Sequence, residues 1–165
     1  MEQTSLREQI AAFQAAYIRC IDTDALEQWP DFFTPNCQYT VTTAENFRAG
    51  LPAGLIWANN RDMLKDRISA LRHANIYERH GYRHIVGLPF ITTSPEGQTG
   101  AETPFMVARI MHDGVTQLFL TGVYHDLYET HEGALRLRQR IVVCDSSRID
   151  TLLAIPLGAT PCALP

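Results

Sequence analysis

A chain of 165 residues is the size of one domain that can bury a core, and 45% hydrophobic with 19% charged residues excludes a disordered polymer. The formal net charge of −4 and a pI of about 5.8 argue against a general affinity for nucleic acid. The start, MEQTSLREQI, has neither the basic flank nor the apolar stretch of a signal peptide, and no apolar run approaches the roughly 20 residues that cross a bilayer; a cytoplasmic protein without a membrane partner is expected.

Ser5 opens a helix. Ser5-x-x-Glu8 has capping-box spacing, and Leu6, Ile10, Phe13, Tyr17 and Ile21 recur with helical period. Asp22 or Asp24 is placed to cap a second, short helix carrying Leu26, Trp29 and Phe33, which Pro35 ends. A strand rich in β-branched and aromatic residues follows at 37–43. Residues 44–59 contain Gly50, Pro52 and Gly54 and read as a loop. Asn59 or Asn60 caps a third helix, with Asp62 in its first turn, Leu64, Ile68 and Leu71 facing a core, and Gly81 as its stop.

Beyond Gly81 the pattern is β: runs at 82–92, 102–111, 115–128, 134–145 and 149–157. HDG at 112–114 and ETHEG at 129–133 are hairpin turns, and SPEGQTG at 94–100 is a longer one. Helices first and consecutive strands afterwards predict a single α+β domain over residues 1–165, with the helices packed on one face of a curved sheet.

Catalytic signatures are not found. Cys20, Cys37, Cys144 and Cys162 have no CxxC or regular spacing and read as reduced core residues. There is no HExxH, and no cysteine is followed by the Cys-x-His or Cys-x-x-His spacing of a Rieske centre; GxSxG, GxGxxG and GK[ST] are also missing. One acid–base arrangement is open: Asp22, Tyr39, His84 or His125 pointing into a pocket under the sheet, where a His–Asp pair moves protons without a cofactor. The alternative is that these are hydrogen-bonded core or rim residues.

The run ALRLRQRIVVCDSSRID, 134–150, alternates. Leu135, Leu137, Gln139, Ile141 and Val143 fall on one face of an ideal strand, and Arg136, Arg138 and Arg140 on the other. The arginine row, with Trp57, Tyr82 and Arg83, supplies the residue types that anchor protein interfaces. The other reading is a solvated face whose arginines pair with acids such as Asp126 or Glu102.

Three stretches carry a family resemblance: IDTDALEQWPDFFTPNCQYTV, NNRDMLKDRISALRHANIYERHGYRHIVG with its Arg61, Asp66-Arg67-Ile68 and His84, and TGVYHDLYETHEGALRLRQRIVVCDSSRIDTLLAIPL. Together they span Ile21 to Leu157 and resemble the small (β) subunit of Rieske-type aromatic-ring-hydroxylating oxygenases of the salicylate, anthranilate and benzoate type. The resemblance implies a cone-shaped, cystatin-like fold of the nuclear-transport-factor-2 superfamily, with a strongly curved, mixed and mainly antiparallel sheet and N-terminal helices on its concave face. It implies no catalytic residue, metal or cofactor in this chain; a catalytic α subunit would carry the Rieske [2Fe-2S] cluster and the mononuclear non-haem iron. It further implies an α3β3 hetero-hexamer, to which ferredoxin and reductase donate electrons through α, and an aromatic carboxylate as substrate, salicylate with monooxygenation being the first expectation. The contrasting readings are a cofactor-free pocket enzyme, isomerase- or dehydratase-like, and a ligand-binding module of the same fold.

Overall fold

A computed structural model describes residues 5–52, 54–73 and 80–147. The first helix, α1 (Leu6–Asp22), begins as its residues dictate. Ser5 Oγ accepts from Glu8 N at 3.3 Å, and the Glu8 carboxylate accepts from Ser5 N at 2.8 Å, so two otherwise orphaned amides are satisfied. Donation from Ser5 N, and from Ser5 Oγ at 2.9 Å, holds the Glu8 carboxyl below its ordinary pKa. Its buried stripe is Ile10, Gln14, Tyr17, Cys20 and Ile21, while Leu6 is 41% exposed.

The second helix is a 3-10 segment, Leu26–Phe32, that contains Pro30 and buries Leu26 and Trp29. Neither expected cap serves it, for Ala25 stands at its N-cap without a side-chain bond. Asp22 is engaged with His84, and Asp24 takes up a left-handed φ of 60° and binds Arg72. Strand β1 (Phe33–Thr43) therefore starts four residues before the expected Cys37, and Phe33 belongs to it. The expected loop at 44–59 also holds two elements. Helix α2 (Ala44–Arg48) is capped by Thr43, and β2 (Ile56–Ala58) pairs antiparallel with β1. Helix α3 (Arg61–His73) is capped by Asn60, whose Oδ1 accepts from Met63 N at 2.9 Å.

The β run expected at 82–92 is divided. Strands β3 (His80–Val86) and β4 (Phe90–Thr93) both pair with β5 (Thr99–Met111), and Gly81 lies inside β3 instead of ending a helix. The break falls at Gly87, where an added Cβ would meet Pro104 Cγ at 2.8 Å, and at Pro89, which has no amide for the ladder. Strands β6 (Thr116–His131) and β7 (Ala134–Cys144) are the last strands among the described residues. The β6–β7 turn is a two-residue hairpin with positive φ at Glu132 and Gly133, and Gly114 supplies positive φ at the β5–β6 turn. The expected last strand, 149–157, and Cys162 lie outside the described residues.

Strand order is β2-β1-β7-β6-β5-β3, with β4 also on β5. Among the described residues only β1 and β7 run parallel, so the sheet they form is mixed, mainly antiparallel and open. Register shifts interrupt β1–β7 between Phe33 and Gln38, β5–β6 between Val107 and Ala108, and β6–β7 between Leu127 and Tyr128. Such bulges bend and twist a sheet, and this one curls over α1. Its concave face meets α1 through Gln14 on Thr103, Phe13 on Tyr128 and Tyr17 on Arg140. Trp29, Phe33, Tyr39 and Tyr17 fill the space between α1, the 3-10 helix and β1 in edge-to-face contacts of 5.2–6.1 Å.

Candidate functional site

The bulge between β6 and β7 decides where the three arginines go. Asp126 pairs with Arg140 and Leu127 with Gln139, but Tyr128 pairs with Leu137, so Arg138 has no partner on β6. The extra residue breaks the period of two. Leu137, Arg140, Val142 and Cys144 are buried, whereas Arg136, Arg138, Gln139 and Ile141 are half-buried. The expected single row of arginines is thus corrected to one inward and two peripheral side chains. Arg136 Nη1 donates to Leu135 O at 2.9 Å, and Arg138 Nη1 donates to Asn36 O.

Arg140 is fully buried. Its Nε donates to Asp126 Oδ1 at 2.8 Å and its Nη2 to Asp126 Oδ2 at 2.7 Å. Its Cζ lies over the Tyr17 and Tyr124 rings, 4.2 Å from each centroid. Asp126 also accepts from Tyr128 Oη at 2.8 Å and Gln14 Nε2 at 3.4 Å, and Gln14 Nε2 reaches Thr103 Oγ1 at 2.8 Å. Burial works against the Arg140 charge, yet Asp126 outweighs it and the guanidinium stays above its ordinary pKa. Burial pushes the Tyr17, Tyr124 and Tyr128 hydroxyls up, so the rings stay neutral. Sequence reasoning named Asp126 as a possible partner but missed Gln14, Tyr17, Tyr124 and Tyr128. The available signal was Tyr124, Asp126 and Tyr128 at spacing two on one strand.

Asp22 and His84 are brought together. Asp22, the last residue of α1, accepts from His84 N at 2.9 Å and lies 2.6 Å from His84 Nδ1 through its other oxygen. Their side chains are 5% and 1% exposed, a sealed joint between α1 and β3. Tyr39 is elsewhere, packed against Trp29 and Phe33, and burial pushes its hydroxyl well up. His125 faces the opposite side of the sheet from Asp126, half-exposed, 3.6 Å from Glu102 and with its ring tilted 30° against Phe47 at 4.7 Å. The four pocket candidates therefore do not converge; only Asp22 and His84 touch.

The expected interface residues also divide. Tyr82 is buried, 3% exposed, and stacks on Phe119, while Arg83 is exposed and Trp57 is 53% exposed. Trp57 ends a cross-strand row on the convex face. Trp57 pairs with Thr40, Thr40 with Ile141, Ile141 with His125, His125 with Glu102, and Glu102 with Phe90, which is 66% exposed. Beside it Ile85 pairs with Met106, and these are 58% and 42% exposed. Phe90, Ile85 and Met106 were not expected here, because register alone aligns them, and Phe47 reaches the row from α2 through His125.

Among the described residues no group of three or more His, Cys, Asp or Glu side chains is placed to hold a metal ion, so the donor set of this part of the chain does not fit an iron centre. No helix among them is long and apolar enough to cross a membrane.

Residues 2–141 match the model of the SnoaL-like domain family. Over 149 residues the chain is 60% identical to the terephthalate 1,2-dioxygenase terminal oxygenase component subunit beta 2 of a Comamonas species, covering 90% of this chain and 97% of that one. It is 38% identical to the anthranilate 1,2-dioxygenase small subunit of Burkholderia cepacia, over 90% of this chain and 92% of that one. A crystal structure of a Novosphingobium aromaticivorans β subunit assigned to the aromatic-ring-hydroxylating dioxygenases superposes with a TM-score of 0.82 at 40% identity, covering 91% of this chain and 95% of that one.

Proposed function

Because the chain belongs to the SnoaL-like domain family and, within it, to the β subunits of aromatic-ring-hydroxylating dioxygenases, we propose that it is the structural, non-catalytic subunit of a two-component terminal oxygenase acting on an aromatic carboxylate. The observation that carries this reading is 60% identity across 97% of a terephthalate dioxygenase β subunit. Both curated relatives above are named for dioxygenation of aromatic carboxylates, which favours a terephthalate- or anthranilate-like substrate over the expected salicylate, and dioxygenation over monooxygenation. The Rieske cluster and the mononuclear iron belong to the α partner, which receives electrons from ferredoxin and reductase; the α3β3 stoichiometry and the cytoplasmic location are part of the same proposal.

In this reading the convex face seats the α subunit. Trp57 and Phe90 present large, exposed aromatic surfaces at the two ends of one cross-strand row, and aromatic anchors carry a disproportionate share of interface energy. Arg136 and Arg138, both half-buried, stand at the same sheet. Trp57→Ala and Phe90→Ala each weaken retention of tagged α by about 10-fold or more in co-purification, a loss of ~1.4 kcal/mol or above, without lowering the Tm of the isolated subunit. Retention of α unchanged in both variants removes this face from the proposal.

The buried Asp22–His84 pair is the observation behind the second reading, a pocket enzyme. Robust isomerase or dehydratase turnover by the isolated chain, abolished in His84→Gln, would establish that reading in place of the structural one.

A further inference from the structure

Arg140 sits in its surroundings as a bound ligand does. Its guanidinium is a flat cation whose Cζ lies over two tyrosine rings, with one N–H edge on a carboxylate. The walls of that cage are held by contacts that do not involve Arg140. Tyr124 stacks on Phe105 with centroids 4.3 Å apart and an interplanar angle of 9°. Tyr17 packs edge-on against Phe32 and Phe33 at 5.4 and 6.1 Å. Asp126 keeps Tyr128 Oη at 2.8 Å and Gln14 Nε2 at 3.4 Å, and Gln14 is in turn anchored on Thr103 and Tyr128.

We propose that the concave side of the sheet contains a preformed binding site for amidinium and guanidinium cations, made by Tyr17, Tyr124 and Asp126, which the chain fills with its own Arg140. The site goes beyond the subunit function above and does not depend on it. Its chemistry selects among cations. A planar cation with two N–H groups on one edge meets both rings and both carboxylate oxygens, whereas an ammonium has neither the plane nor the fork. Arg140 Nη1 is buried without a hydrogen-bond partner, so the third guanidinium nitrogen adds no hydrogen bond to Asp126. An amidinium, with two nitrogens, leaves no such orphan and binds at least as well as an alkylguanidinium.

Truncating Arg140 exposes the site to an added guest, as a cavity left by a removed side chain accepts a ligand of its own shape. In the full-length Arg140→Ala variant, acetamidinium raises Tm saturably, by about 3–6 °C at ten times its Kd, and methylguanidinium does so by a similar or smaller amount. Methylammonium and sodium chloride at the same concentrations do not, and the wild-type chain, whose cage is filled, does not respond. The Asp126→Asn/Arg140→Ala double variant loses the response. Should Arg140→Ala not fold unaided, the readout is recovery of cooperatively melting protein on refolding with acetamidinium but not with methylammonium. Equal responses of variant and wild type, no discrimination between amidinium and ammonium, or no recovery on refolding each overturn the proposal.

Discussion

Asp126 and Arg140 show what one residue can carry in this protein. Both side chains are fully buried, and the pair is joined through two hydrogen bonds of 2.7 and 2.8 Å. Removing two charges from water costs several kcal/mol each, which the pair and its hydrogen bonds offset only while both partners are present. Asp126→Ala leaves a buried cation with no carboxylate, and denaturant unfolding will show a loss of about 3–5 kcal/mol. Arg136→Gln/Arg138→Gln, at half-buried positions bonded to backbone carbonyls, stays within ~1 kcal/mol of wild type. Equal losses for the two would contradict the division of the arginine row. The cysteines act at the same scale. Burial pushes the Cys20 and Cys37 thiols up to about 11 and Cys144 up to about 12, against 9.0 for a free thiol. With folded pKa values above the unfolded one, the stabilisation is complete below pH 9 and is lost as pH rises towards 11–12, because the unfolded chain releases protons that the native state retains. Urea titrations from pH 8 upward will show falling stability, with a shallower fall in Cys144→Ala.

At the scale of elements, close approach and bulges set the geometry. Gly122 on β6 lies where β6, β7 and the Phe105 ring meet: a Cβ there would be 2.1 Å from Val143 O and 2.9 Å from Phe105 Cε1. A backbone oxygen cannot move aside without disturbing the β6–β7 ladder. Gly122→Ala will therefore lose at least about 1–3 kcal/mol, measured by thermal or urea unfolding, and a neutral effect would show that β6 and β7 separate more freely than their pairing implies. Helix α3 is fastened differently. Arg72 binds Asp24 and Glu27 at 2.8–2.9 Å, and those hydrogen bonds hold Glu27 below its ordinary pKa while raising Arg72. A residue with positive φ, Asp24, thus serves as an anchor for a helix 48 residues away in sequence, which is why it was not free to cap the helix beside it.

For the whole molecule, local rules settled what depends on neighbours in the chain. The Ser5–Glu8 box, the Asn60 cap, the Leu64–Ile68–Leu71 stripe and the two tight β-turns are short-range effects, and each was legible because its partners lie within a few residues. Class followed as well, since helices before antiparallel strands admit few packings. The family could be read from three ordered stretches, as the 60% identity to a dioxygenase β subunit bears out. Tertiary structure decided the rest. The bulge at Arg138 arises from pairing with β6 and from sheet curvature, neither of which strand 134–144 encodes alone, so period-two reasoning placed Arg140 with the wrong companions. The same holds for Asp22 with His84, 62 residues apart, and for the row from Trp57 to Phe90, which crosses six strands. Sequence by itself determined where α1, α3 and the tight turns begin, which residues are fit for a core, and the family; the short helix at 44–48, register, which face each arginine takes and which acid each base meets were fixed only when the sheet packed over α1, because those contacts are made between segments whose distance in the chain carries no information about their distance in space.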